Sequence, residues 1–492
     1  MTIIVTLIAA WLRLINLGYS DYQGDEIKAL FLPAEGQSIS EFLLDQRKGP
    51  IQFIITGILK FFNPEYDNQL LMRLPFAIAG ILTVLFFYKL IKIHFGRKIA
   101  FYASFFIATN GFFIAFSRIV QYQSFVILFA VLALYCFTLV STQKKWTYMG
   151  IYLGFIFWAL SILSHYDGVF IAPFAFYLIY KWYLQAPTGL KERRNHLMYS
   201  MLLSGAVLAT FYIPFVISIS ASTMSYWQGR LAGTGGKISS SRYLFSVYQP
   251  IYVIHIYIGL TLLGIAETAI RKNLLKLSIM FWFLLPFTFF ELIVGIPGTH
   301  IFNYILPVTI IMAMGIDFGE EIIKKFLGWL AAKILVGFGV SIVFIFIFLQ
   351  STAVFVDHTR EYPWEPEFFL VWEFPKPVPN FHLSMFGFPY FRHWEAISEI
   401  VNSTEHNGYY STNERSSISR YYIPLKKSSD AAGYYIYIVS PQSFTDLISS
   451  DRVRIWTENY KPVMEFTDAE GRTISQIYYL TPGPLINLDN EY

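Results

Sequence analysis

Apolar runs close to the length of a bilayer-crossing helix recur along this chain of 492 residues, and no other feature constrains its fold as strongly. A helix needs about 20 apolar residues to cross a hydrocarbon core. Runs near that length fall at 2–17, 70–91, 99–116, 124–141, 147–163, 168–183, 198–219, 250–270, 277–296, 301–316 and 328–350. They predict about eleven spans. Charge agrees, since only 14% of residues are Asp, Glu, Lys or Arg, against about 25% in ordinary soluble domains. The first run has no basic n-region and no small-x-small cleavage site, so it reads as a retained helix rather than a cleavable signal. Its Arg13 is expected to snorkel to the interface. The lone cysteine, Cys136, excludes an intrachain disulfide.

The connections alternate in charge. One set carries Lys92, Arg97 and Lys98, then Lys144 and Lys145, then Lys191, Arg193 and Arg194, then Arg271, Lys272 and Lys276, then Lys324 and Lys325. The positive-inside rule places these in the cytoplasm. Residues 18–69, 220–249 and 351–492 then lie on the non-cytoplasmic side of a cell membrane, with a prokaryotic plasma membrane expected. The tail is too polar to span. HWEAISEIVNS and ERSSISRYY read as helices, GYYIYIVS as a strand, and KPVMEFT with RTISQIYYL as a hairpin across DAEG. EYPWEPEFFLVWEFPKPVPN reads as a Pro- and Trp-rich connector, and GRLAGTGGKISSSR as a flexible run. The expected fold is an α-helical polytopic membrane protein with a long first outer loop and a small C-terminal α/β or α+β domain. The boundary falls at 350, with a membrane module over 1–350 and a non-cytoplasmic domain over 351–492.

The outer connections gather ionisable and polar residues from separate segments: Asp25, Glu26, Lys48, Arg118, His165, Tyr166, Asp167, His300 and Tyr304. SRIVQYQ, SHYDG and PGTHIFNY are so short that their charges sit flush with the headgroups, where ionisable side chains are costly and functional by default. A carboxylate such as Asp25 can take a proton from an acceptor hydroxyl or amine. Lys48, Arg118 and His300 can neutralise a phosphate leaving group. Base and cationic cradle together suit glycosyl transfer from a lipid-linked phosphosugar. No P-loop or dinucleotide fingerprint favours a soluble nucleotide donor, and no nucleic-acid partner is expected. No Cys or His pair has zinc-ligand spacing; a divalent metal is left open, with no other cofactor.

Several ordered pieces carry a family resemblance over about residues 1–350. They are WLRLINLGYSDYQGDE, QRKGPIQFIITGIL, MRLPFAIAG with the basic turn after it, ATNGFFIAFSRIVQYQSFVILF and THIFNYILP. In that order the chain resembles GT-C membrane glycosyltransferases of the dolichyl-phosphate-mannose–protein mannosyltransferase type, including the aminoarabinose transferases that modify lipid A. The resemblance implies an inverting transfer from a polyprenyl-phosphate sugar to a protein, lipid or glycan acceptor among membrane lipids. It implies a catalytic role for Asp25, with Glu26 beside it, a donor-phosphate contact from Lys48 and a site-facing place for Arg118; the chemistry above adds Arg118 and His300 to the phosphate contacts. His165, Tyr166, Asp167 and Tyr304 are expected to bind substrate. Two departures stand out: Gln123 replaces an acidic residue frequent in the family, and SHYDG offers His165 and Asp167 where a lysine is common. A transporter or flippase is the alternative reading, but it favours midplane charges and internal repeats, which are not seen here. An oligosaccharyltransferase is a closer alternative reading, but the tail has no Trp-Trp-Asp-Tyr-Gly motif.

Overall fold

The computed structural model describes residues 1–142, 148–185, 189–233, 248, 251–369, 371–374, 386–403, 408–428, 433–442 and 458–479. Helix α1 is Thr2–Leu14, followed by three short helices in the first loop: α2 Gly24–Ile27, α3 Ile39–Asp45 and α4 Ile51–Leu59. Then come α5 Gln69–Thr109, α6 Gly111–Ser117, α7 Gln123–Thr142, α8 Met149–Ser164, α9 Ala172–Leu184, α10 Leu190–Ile217, α11 Ala221–Ala232, α12 Ile251–Arg271, α13 Leu274–Thr288 and α14 Phe302–Phe355. Among the described residues, six helical segments are long and apolar enough to cross a membrane, and this is a multi-pass membrane protein.

Two of those six are longer than one span. The sequence separates 70–91 from 99–116 and 301–316 from 328–350; the structure kinks α5 at Gly96 (φ 80°), inside the first interval, and α14 at Gly328 (φ 81°), where the later run begins. Left-handed φ is open to glycine without a Cβ penalty, so each glycine breaks the helix beside the expected basic turn. Small residues bring helices together elsewhere. A Cβ on Gly264 of α12 would lie 2.0 Å from the Ile311 carbonyl oxygen, and one on Gly315 of α14 would lie 2.1 Å from that of Leu260. That close approach is how helices pack where lipid offers no hydrophobic drive.

Arg13 departs from expectation. It is buried rather than snorkelling, and donates to the carbonyls of Ala108 (3.0 Å) and Ile107 (3.4 Å). Those carbonyls come from the last turn of α5, which ends at Asn110, the cap of α6. A helix end leaves its last carbonyls without intrahelical partners, and the arginine supplies them.

Among the described residues, the tail forms α15 Trp394–Ser403, α16 Ser416–Tyr422 and seven strands. Strands β1 Glu367–Phe369 and β2 Trp372–Phe374 make a small antiparallel hairpin inside the segment read as a connector. Strands β3 Tyr409–Thr412, β4 Lys426–Lys427, β5 Tyr434–Ile438, β6 Met464–Thr467 and β7 Thr473–Tyr479 form a mixed sheet ordered β4-β3-β5-β7-β6. The expected hairpin is β6–β7, with Met464 opposite Ile477. The supposed flexible run begins as helix, since α11 reaches Ala232, and its later part lies outside the described residues.

The tail is seated on the first loop. One apolar cluster joins Tyr22, Ile27 and Leu30 of that loop, Met72 and Phe76 of α5, and Trp394, Ile418, Tyr434, Ile436 and Ile477 of the tail. Polar bonds pin the same contact: Gly24 N donates to Gln442 Oε1 at 2.8 Å, and Tyr22 N to the Tyr422 hydroxyl at 2.9 Å. Helix α2, which carries the acidic pair, is thereby fixed from both sides.

Candidate active site

Asp25 and Glu26 are neighbours on α2, so their side chains leave it about 100° apart and meet opposite surroundings. Glu26 is fully buried. Its Oε1 accepts from Arg73 Nε at 2.9 Å and Val120 N at 3.0 Å, and its Oε2 from Arg73 Nη2 at 2.8 Å and Gln23 N at 3.0 Å. The remaining guanidinium bonds of Arg73 reach the carbonyls of Leu17, Ser20 and Asp21. Glu26 is thus the anchor of a buried knot joining α2, α5 and the Ser117-Arg118 turn, with no face open to a substrate. Asp25 points the other way. Its side chain is 35% exposed, with Lys28 at 3.4 Å.

Lys48 approaches Asp25 through a shared amide. Its Nζ donates to Gln121 Oε1 at 3.2 Å, while Gln121 Nε2 donates to the Asp25 carbonyl. The ammonium also lies over the Tyr122 ring, 5.0 Å from its centroid. Burial pulls the Lys48 pKa down to about 8, with the charge of Asp25 opposing. Gly49 makes this placement possible: a Cβ there would fall 1.8 Å from the Leu163 carbonyl oxygen at the end of α8. Only glycine lets the loop lie so close to the turn that follows.

That turn holds a second group. The Asp167 side chain is fully buried; its Oδ2 accepts from His300 Nδ1 at 2.6 Å and from Asn303 Nδ2 at 3.0 Å. Its Oδ1 stands 3.1 Å from His165 Nδ1 and has no hydrogen-bond partner. Burial pushes the Asp167 carboxyl up, but His300 and then His165 more than offset this and hold it below the usual carboxylate range. Burial holds His165 low, against the pull of Asp167. Tyr122 stacks on His165 at 4.3 Å, and Phe290 on His300 at 5.5 Å. His165, Asp167 and His300 are the three residues arranged to hold a metal ion among the described residues. They come from segments more than a hundred residues apart, which spacing rules do not join.

The other expected residues separate. Tyr166 is exposed beside His165, at the lip of the site. Arg118 donates to the carbonyls of Leu12 (3.0 Å), Ile15 (2.9 Å) and Asn16 (3.2 Å), closing the C-terminal end of α1. Tyr304 bonds Glu291 at 2.7 Å and lines an apolar cavity of about 310 Å³ with Phe106, Tyr257 and Phe287. The sequence reading missed Gln121, Tyr122 and Asn303, because neutral amides and aromatics in loops carry no chemical signature. It also missed Arg230 of α11, which donates to the Ile296 carbonyl at 3.2 Å and lies in the run read as flexible.

Residues 50–218 match the sequence family described as dolichyl-phosphate-mannose-protein mannosyltransferase. No curated protein matches the sequence. Among solved structures, ArnT from Cupriavidus metallidurans in the apo state aligns over 97% of this chain and 97% of its own, at 12% identity and a TM-score of 0.53. ArnT bound to undecaprenyl phosphate aligns over 100% and 98%, at 12% identity and a TM-score of 0.51. The Archaeoglobus fulgidus oligosaccharyltransferase AglB, in complex with an inhibitory peptide and a dolichol-phosphate, aligns over 97% of this chain and 73% of its own, at 11% identity and a TM-score of 0.50. At these identities the structures establish the fold. The matched segment and the shared fold together support a GT-C glycosyltransferase of the protein mannosyltransferase and ArnT type, the class that the sequence resemblance implied.

Proposed function

We propose that this chain of the GT-C glycosyltransferase class moves a sugar from a polyprenyl-phosphate donor to an acceptor, in one displacement that inverts the anomeric carbon. The supporting observation is the pairing of Asp25 with Lys48 across Gln121. Asp25 takes the acceptor's proton as the acceptor oxygen or nitrogen attacks the anomeric carbon. The bond from that carbon to the phosphate oxygen breaks, and the polyprenyl phosphate leaves with the electron pair. Lys48 stabilises the charge that grows on the phosphate, an effect strongest where water is excluded. Glu26 and Arg118 are positioning residues in this scheme: one holds α2, the other the end of α1. Tyr166 offers an exposed ring against which a sugar face packs.

The lipids bound in the ArnT and AglB structures, undecaprenyl phosphate and a dolichol-phosphate, supply the donor class proposed here. The site faces the loop-bearing end of the helices, which the charge pattern makes non-cytoplasmic. The test is donor consumption by the purified chain in nanodiscs, read as release of polyprenyl phosphate by mass spectrometry. Lys48→Met should raise the donor KM and slow release. Release that is equally fast with Lys48→Met removes the phosphate assignment.

A further inference from the structure

We infer that His165, Asp167 and His300 form a binding site for one divalent metal ion of the zinc class. The site lies beside Lys48 at the loop-bearing end of the helices. The reason is a contact that lacks a cation. His165 Nδ1 accepts the backbone N–H of Asp167 at 3.2 Å, so it presents a lone pair rather than a proton. At 3.1 Å from it sits Asp167 Oδ1, a buried carboxylate oxygen with no hydrogen-bond partner. Two acceptors facing each other repel unless a positive charge lies between them. Ligands about 2.0–2.2 Å from one ion stand roughly 2.9 Å apart across a right angle and about 3.4 Å apart across a tetrahedral angle. The observed separation falls between the two.

The third donor is in place. One ligating atom from each of His165, Asp167 and His300 lies within 4.8 Å of the other two. Two imidazoles with one carboxylate suit a borderline ion such as zinc, and suit magnesium poorly, because magnesium prefers oxygen ligands and keeps its waters. Outer contacts already orient the set. Asn303 bonds the other Asp167 oxygen, and Trp158 Nε1 holds the turn through the Gly168 carbonyl at 2.9 Å. Such support fixes ligand orientation and strengthens binding. The His300 side chain is 14% exposed, which leaves a path for the ion and an open coordination position on the outer side. Binding draws the donors together, and His300 turns from hydrogen bonding Asp167 to ligating the ion. Within the proposed function, the ion would add positive charge where the donor phosphate leaves. The rival state is a proton shared between His165 and Asp167.

Chelator-stripped wild-type protein, dialysed against micromolar zinc, manganese or magnesium, distinguishes these states by metal content and by calorimetric titration without any donor. The expected result is about one zinc per chain, weaker manganese and no magnesium. His300→Gln and Asp167→Asn should each weaken zinc binding roughly 10–100-fold, and Asp25→Asn should leave it unchanged. His300 lies nearest the surface, so its variant stays informative if Asp167→Asn fails to fold. Wild type that takes up no zinc, or zinc binding unchanged in folded His300→Gln, overturns the assignment. Glycosyl transfer is not part of this measurement, so a failed donor assay leaves it untouched.

Discussion

Replacing Glu26 by alanine removes the one carboxylate that pairs with Arg73 among the described residues and leaves a buried guanidinium whose remaining hydrogen bonds go to carbonyls. Breaking a buried ion pair from one side costs about 3–5 kcal/mol, because the surviving charge is left uncompensated. Here the loss is compounded, since the Gln23 and Val120 N–H groups lose their acceptor as well. A buried donor without a partner costs about 1–3 kcal/mol. Glu26→Gln keeps the shape and one acceptor oxygen, so it should be milder than alanine but still destabilising. The assay is the thermal unfolding midpoint of detergent-purified protein, followed by turnover of the fraction that remains folded. Both variants should melt well below wild type, alanine the lower, with activity lost in proportion to folded protein. Wild-type melting with turnover abolished would refute the reasoning and return Glu26 to the chemistry.

Lys48 carries a pH prediction. Its pKa lies near 8, lowered from the usual lysine value chiefly by burial, so the charge is present at neutral pH and lost as pH rises through that value. Donor affinity should fall between about pH 7 and 9, and Lys48→Arg should move that fall to higher pH; a flat profile would contradict it. Gly49→Ala must push the loop off the Leu163 carbonyl, and a shift of that kind should slow turnover about 100-fold, checked by steady-state kinetics; wild-type kinetics would show that the loop gives way without moving Lys48. Cysteines at Glu35 and Lys426, both exposed, in a Cys136→Ala background should both react with a membrane-impermeant thiol reagent in intact cells or spheroplasts. Labelling of only one would place the first loop and the tail on opposite sides.

Helices were legible because burial in lipid demands long apolar runs, and turns because basic residues and glycines punctuate them. Gly96 kinks the chain inside the first interval that the charge pattern marks, and Gly328 just beyond the Lys324-Lys325 pair. In the tail, the β6–β7 hairpin and both helices follow alternation and helical periodicity. The small β1–β2 hairpin was hidden by the prolines and tryptophans around it. Side-chain direction was not legible. Asp25 and Glu26 are indistinguishable as a dipeptide, and only the position of Arg73 separates the exposed carboxylate from the anchored one. Arg118 read as a phosphate contact and Arg13 as an interfacial cation because sequence does not show which helix ends need carbonyl partners. His165 and His300 read as separate contacts, one to substrate and one to phosphate, for a similar reason: their meeting depends on tertiary packing of the turn after α8 against the start of α14.

The central claim is that Asp25 is the base in sugar transfer from a polyprenyl-phosphate donor. Its most direct test is mass spectrometry of lipid and protein glycans in a deletion strain complemented with wild type or with Asp25→Asn. Loss of a general base costs about 10²–10⁴ in rate, and the partly exposed Asp25 contributes no buried contact to stability. Wild type should restore a glycan product that Asp25→Asn does not, with the variant present in the membrane at wild-type level and melting like wild type. Restoration of the same product by Asp25→Asn would contradict it.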